Sequence, residues 1–257
     1  MGTKKDNAIG LYMEGIRDGN AREAITKYTG ARYTQHSTGV ADGPDGFVAF
    51  FEPFLARNPK RDIQVIRALE DGQHVFVHVY QNLNDGEAEW VTTDFFDTDP
   101  EDRIVEHWDV IAAYEPKTAS GRTSVDGDCE VRDRELTEAN RQTVQRLIDE
   151  FLIPGGKTDP LREYVTEDLS QHDSTVPDGI AAYAAYAVSD GRRLKYEQAV
   201  LTVAEGNFVA TLCKAKLDGE PVAQVDVYRL DAGKVVERWS NLEPVPPREA
   251  WANSGKF

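Results

Sequence analysis

The chain has 257 residues, a length that suits two domains of roughly 120 residues each. Its net charge of −16 disfavours nucleic acid and anionic membrane as partners, because phosphate recognition relies on clustered Lys and Arg. A hydrophobic share of 40% beside 29% charged residues is that of a globular chain able to bury a core in each half.

The start, Met1 to Asp6, carries charge with no apolar stretch behind it, so no signal peptide is expected. Asp6 then reads as the N-cap of a helix presenting Ile9, Tyr12, Met13 and Ile16 at helical spacing. A short helix over about 21–28 follows, and the Gln35-His36 pair is read as closing helical structure. A third helix from about Asp45 carries Phe47, Phe50, Phe51, Phe54 and Leu55 on one side and stops near Pro59. The pattern then becomes that of strands. Ile63, Val65 and Leu69 alternate towards an Asp71-Gly72 turn. Val75, Val77 and Val79 share one face of the next strand, and Phe76, His78 and Tyr80 the other. Asn84-Asp85-Gly86 turns the chain into a strand over about 88–97, and a last strand spans about 104–114.

Residues 118–134 read as a linker between a first domain, 1–117, and a second, 135–257. The second half repeats the first. Gln35-His36 followed by Asp42-Gly43 recurs as Gln171-His172 followed by Asp178-Gly179, at one constant interval. Asp94 answers to Asp226, and Glu106-His107-Trp108 to Glu237-Arg238-Trp239. Helical stripes around 144–152 and 180–188 precede strands ending with about 234–242, and the Pro-rich tail after Pro244 is expected on the surface. Helices followed by a meander predict an α+β fold in each half. Cys129 and Cys213 fit a reducing interior and form no metal motif. With no segment near the roughly 20 apolar residues of a membrane span, a cytoplasmic protein is expected.

The chemistry concentrates in the last strand of the first half. His107 and Asp109 share a face with Val105 and Ile111, and polar groups in an apolar row suit a pocket wall. Asp94, with Trp90 and Phe96 beside it, lies on the neighbouring strand. A carboxylate desolvated by aromatics has its pKa raised towards neutrality, where it can transfer protons. His107, Asp109 and Asp94 are therefore the candidate catalytic residues, with His36, His78, Trp90, Phe76 and Tyr12 as candidate substrate contacts. For several the competing explanation is structural. His36 can cap backbone groups, His78 can be a satisfied sheet histidine, and Asp94 can make a hydrogen bond common to both halves. The repeated Trp108 and Trp239 are read as core. His107 and Asp109 are not needed for folding, since the second half has Arg238 and Ser240 there.

At Gln35-His36, Asp42-Gly43, Val75 to His78 and Glu106 to Asp109 the first half resembles the SnoaL-like polyketide cyclases, within the superfamily of nuclear-transport-factor-2-like folds. The resemblance covers nearly all of 7–114 and, more weakly, 137–245. It implies two tandem cone-shaped domains, each a curved antiparallel sheet wrapped by about three helices around a pocket. It also implies an intramolecular aldol ring closure or isomerisation, without metal or organic cofactor. The acid/base residue would match Asp109 and a supporting residue Asp94. The second half, lacking the histidine and acid of the last motif, is expected to be silent and to pair with the first as a pseudo-dimer. Further homodimerisation is left open.

Two other functions compete. A non-catalytic binder of a small molecule would use the same pocket, and an epoxide hydrolase of the same fold would need an arginine bridging its acids. In the first half no arginine shares a strand face with Asp94 or Asp109. A metal site is disfavoured because the histidines lack compact ligand spacing.

Overall fold

The structure, a computed structural model, describes residues 3–257. Met1 and Gly2, part of the stretch read as free of a signal peptide, lie outside them. The chain divides into two compact units, Met1–Ala113 with Val245–Phe257, and Tyr114–Pro244. This redraws the expected domains. The segment 118–134 packs as part of the second unit, and the carboxyl-terminal tail, expected there, belongs to the first.

In the first unit, Thr3 and Asp6 form a capping box at the start of α1 (Lys4–Gly10), so Thr3 is the N-cap and Asp6 its reciprocal partner. The helix continues as a π-helical stretch, Leu11–Arg17, and is followed by α2 (Ala21–Tyr28), β1 (Thr29–Gln35) and α3 (Gly43–Arg57). Then come β2 (Arg61–Asp71), β3 (His74–Leu83), β4 (Ala88–Thr98) and β5 (Ile104–Ala113). The sheet order is β1-β5-β4-β3-β2, with β1 parallel to β5 and the rest an antiparallel meander. Gln35-His36 therefore closes a strand rather than a helix. The helices pack on one face of the sheet, where Val75, Val77, Val79, Phe96 and Ile104 join Leu11, Ile16, Ile25 and Phe47 in one core.

The second unit repeats this layout. α4 (Thr137–Leu147) runs into a π-helical stretch, Ile148–Leu152, and β6 (Val165–His172) precedes α5 (Ile180–Ala187). The meander is β7 (Leu194–Glu205), β8 (Phe208–Leu217), β9 (Glu220–Asp231) and β10 (Lys234–Pro244), in the order β6-β10-β9-β8-β7. Where the first unit has α2, the second has a 3-10 turn, Asp159–Glu163, entered through Gly155 and Gly156 at positive φ and bearing a proline in its first turn. Both units are α+β, as the sequence predicts.

The repeated motifs have one structural meaning. The carboxylate of Asp42 accepts the backbone N–H of Gln35 at 2.8 Å, and that of Asp178 accepts Gln171 N–H at 2.8 Å. The next residue then enters the helix at φ 83° (Gly43) or 98° (Gly179), a left-handed conformation that favours glycine. Asp-Gly thus ties strand end to helix start in each unit.

Candidate active site

Strand register builds the site. On β5, His107 and Asp109 project to the helix side. Gln35 lies opposite His107 on β1, while Phe96 and Asp94 on β4 lie opposite His107 and Asp109. These side chains reach a cavity of about 280 Å³. Phe50, Phe51 and Phe54 of α3, Tyr12 and Ile16 of the first helical element, and Trp90, Ile111 and Val40 supply most of its apolar wall. Gln35, Ser37, Gln81, Thr92, Asp94, His107 and Asp109 supply the polar part. Apolar walls around a few convergent polar groups are the usual make-up of a small-molecule site.

The protonation pattern can be followed from a single backbone donor. The Ser37 N–H donates to Gln35 Oε1 at 3.0 Å, which identifies that atom as the amide oxygen. The same oxygen lies 2.8 Å from His107 Nδ1, so Nδ1 carries a proton and donates it. His107 Nε2 then faces Asp94 Oδ1 at 2.8 Å, and one proton is shared between imidazole and carboxylate. Phe96 stacks on the imidazole at 4.8 Å, holding the ring plane. Asp94 Oδ2 is buried with no hydrogen-bond partner among the described residues.

The two acids are driven apart. Burial pushes the Asp94 carboxyl above its ordinary range, opposed by the hydrogen bond and charge of His107 and reinforced by the charge of Asp109. Burial acts on Asp109 too, but the Lys256 ammonium, 3.0 Å from Oδ1, with His107 and Ser37, outweighs it and holds the carboxyl below the ordinary range. The sequence-based expectation of a raised pKa therefore fits Asp94 and fails for Asp109, because a cation 147 positions along the chain faces the latter. Tyr12, bonded to Thr92 Oγ1 at 3.0 Å, has its phenol pushed well up, first by burial and then by Asp94, so it remains a protonated hydroxyl.

Of the predicted site residues, His107, Asp109, Asp94, Trp90 and Tyr12 line the cavity. Three do not. His36 stacks on Trp108 at 4.7 Å, with Nε2 2.9 Å from Glu106 and Nδ1 2.7 Å from the Gly255 carbonyl, which occupies both ring nitrogens. His172 repeats this on Trp239, Glu237 and the Thr123 carbonyl, so the histidine of the Gln-His pair serves the architecture in each unit. Phe76 and His78 lie on the sheet face away from the helices, because Val75, Val77 and Val79 take the helix side. There Phe76 packs on Phe95 and His78 Nδ1 meets Arg67 at 3.2 Å. Gln35 was visible only as part of a motif. Ser37 and Thr92 gave no sequence signal, nor did Lys256, which sits in a tail read as surface.

In the second unit the same positions are filled. Arg238, in the place of His107, is fully buried, with Nη2 2.7 Å from Asp226, Nη1 3.0 Å from Gln171 Oε1 and its guanidinium 4.8 Å over the Tyr183 ring. Ser240 stands opposite Asp226, where the first unit has Asp109 opposite Asp94. Among the described residues no group of three or more His, Cys, Asp or Glu is placed to hold a metal ion, and no helix is long and apolar enough to cross a membrane.

Residues 11–107 match the sequence model of the SnoaL-like domain family, so the first unit carries a SnoaL-like domain, as its motifs suggested. The match stops two positions short of Asp109. No curated protein matches the chain. Among solved structures, a SnoaL-like protein from Jannaschia, assigned provisionally as a polyketide cyclase, is 21% identical over 46% of this chain and 92% of its own, with a TM-score of 0.35. IdmH from Streptomyces antibioticus, also provisionally a polyketide cyclase, is 18% identical over 43% and 92%, with a TM-score of 0.36. An NTF2-like protein of unknown function from Mesorhizobium loti is 17% identical over 44% and 98%, with a TM-score of 0.36. Each spans less than half of this chain, and at these scores function has to be argued from the site's own geometry.

Proposed function

We propose that the first unit is a cofactor-independent acid/base catalyst acting on a largely apolar carbonyl compound, by ring closure of the aldol type or by isomerisation. The observation that carries this reading is a pair of facing acids at the base of an apolar cavity, one held ionised and the other sharing a proton with His107. Two groups whose surroundings separate their pKa values divide the work of base and acid.

Asp109, as carboxylate, takes the proton alpha to the substrate carbonyl. The electron pair left behind forms an enolate, whose oxygen accepts a hydrogen bond from the Tyr12 hydroxyl or the proton of the Asp94–His107 pair. In ring closure the enolate carbon bonds to a second carbonyl carbon, and that oxygen takes up the proton. In isomerisation Asp109 returns its proton to another carbon. The apolar walls of Phe50, Phe51, Phe54 and Trp90 hold the substrate near its reactive shape. An epoxide-hydrolase reading lacks support, since no arginine is among the cavity's lining residues.

The test is exchange of α-hydrogen for deuterium in enolisable aryl ketones and β-diketones, followed by proton NMR. Wild-type protein should accelerate exchange, and Asp109→Asn should lose about 10²–10⁴-fold. The rate should fall on the acid side below the ordinary carboxylate range, as Asp109 protonates. It should fall on the alkaline side above that range, as Asp94, raised by burial, gives up its proton. A purified protein that binds such compounds and exchanges none of them would be a binding protein instead.

A further inference from the structure

We infer that Lys256, carried by the last residues of the chain, is a positioning residue of the first unit's site, the cation that keeps Asp109 a carboxylate facing the cavity. This rests on the acid/base reading above. It does not make Lys256 a catalytic group, because its ammonium addresses Asp109.

The tail is placed by specific bonds. Ala252 N–H donates to the Thr38 carbonyl at 2.8 Å, and Asn253 Nδ2 donates to the carbonyls of Ser37 and Val40 at 2.6 and 2.8 Å. Ser37 and Val40 both line the cavity, so the tail is fastened to its rim. Gly255 then turns at φ 112°, where a Cβ would run into the Trp251 ring, and its carbonyl accepts the His36 Nδ1 proton. That turn delivers Lys256, 1% exposed, with Nζ 3.0 Å from Asp109 Oδ1. Lysine is rarely buried this deeply unless paired.

The second unit supplies an internal control. Its histidine, His172, is likewise met by the carbonyl of a segment outside the sheet, Thr123, at 2.9 Å. That segment places Asp126 near the ring, and Ser240 occupies the position of Asp109. The cation of that segment, Arg122, pairs with Asp178 at 2.6 Å instead.

The charged and titratable groups facing Asp109 come from every neighbouring element. They are Tyr12 from the first helical element, Tyr33 from β1, Asp94 from β4, His107 from β5 and Lys256 from the tail. Of these, His107 and Lys256 oppose the burial of the carboxylate, helped by the Ser37 hydroxyl, and Lys256 is the largest of the three.

The test uses the full chain with ¹³C at aspartate Cγ, the Asp109 signal being assigned by its loss in Asp109→Asn. Wild-type Asp109 should titrate below the ordinary carboxylate range. In Lys256→Met its midpoint should rise by about one to three pH units, and Lys256→Arg should restore the wild-type curve. An Asp109 signal in Lys256→Met that titrates as in wild type overturns the inference. If Lys256→Met does not fold, the double variant Lys256→Met/Asp109→Asn should, because the uncompensated charge is gone. A double variant that also fails assigns the tail to packing and overturns the inference as well. No substrate is needed, so a protein with the expected titration but no α-proton exchange refutes the catalytic reading alone.

Discussion

Two carboxylates directly opposite each other on one face of a sheet repel when both are ionised. Asp94 and Asp109 are so placed, and each is relieved by its own partner, His107 or Lys256. The consequences for stability have opposite signs. Asp109, depressed in the folded state, contributes stability that is present above the unfolded value and lost as pH falls through the folded one. Asp94, raised, contributes stability that is full below the unfolded value and lost as pH rises through the folded one. Asp109→Asn should therefore cost about 3 kcal/mol near pH 7, by analogy with breaking a buried pair. In urea denaturation that gap should close as pH falls below about 4, the unfolded carboxylate value. A gap independent of pH would show that the Asp109 charge is not what Lys256 answers. That β5 would carry a polar pair was legible, because alternation along a strand assigns faces from local sequence. Which acid would be the proton-rich one was not, since the deciding cation is remote in the chain.

At the scale of the element, the Gln-His and Asp-Gly signals that revealed the repeat turn out to hold strands and helices together. Asp42→Ala removes the acceptor of the Gln35 N–H and should cost about 1–3 kcal/mol, the price of an unmet buried donor. Asp42→Asn, which keeps an acceptor oxygen, should cost clearly less in the same urea titration. Equal losses would refer the effect to charge near the start of α3 rather than to the strand tie. The strand at Thr29–Gln35 escaped a sequence reading because it is an edge strand interrupted by Gly30 and Arg32, and among the described residues it pairs with the distant β5 alone. His78 and Phe76 were placed on a strand correctly. The error lay in which face meets the helices, which the three valines decide by joining the core.

Across the whole molecule, the two units share one strand order and differ in what fills it. The second unit fills with Arg238, Asp226, Tyr183, Tyr196 and Tyr228 the space in which the first keeps His107 and a cavity. Arg238→Met strands buried Asp226 and should destabilise the chain by about 3–5 kcal/mol. At temperatures where the variant stays folded, α-proton exchange in the first unit should be retained. Loss of exchange without loss of folding would place chemistry in the second unit. Within the chain alone lay the repeat, the α+β character of both units and the shared face of His107 and Asp109, because side-chain periodicity and turn chemistry act between near neighbours. Only the tertiary structure decided which histidines reach the cavity, which acid is pushed up and which is held down, and that the last residues return to the first unit. A pKa answers to charges within a few ångströms, however far apart along the chain those charges were made.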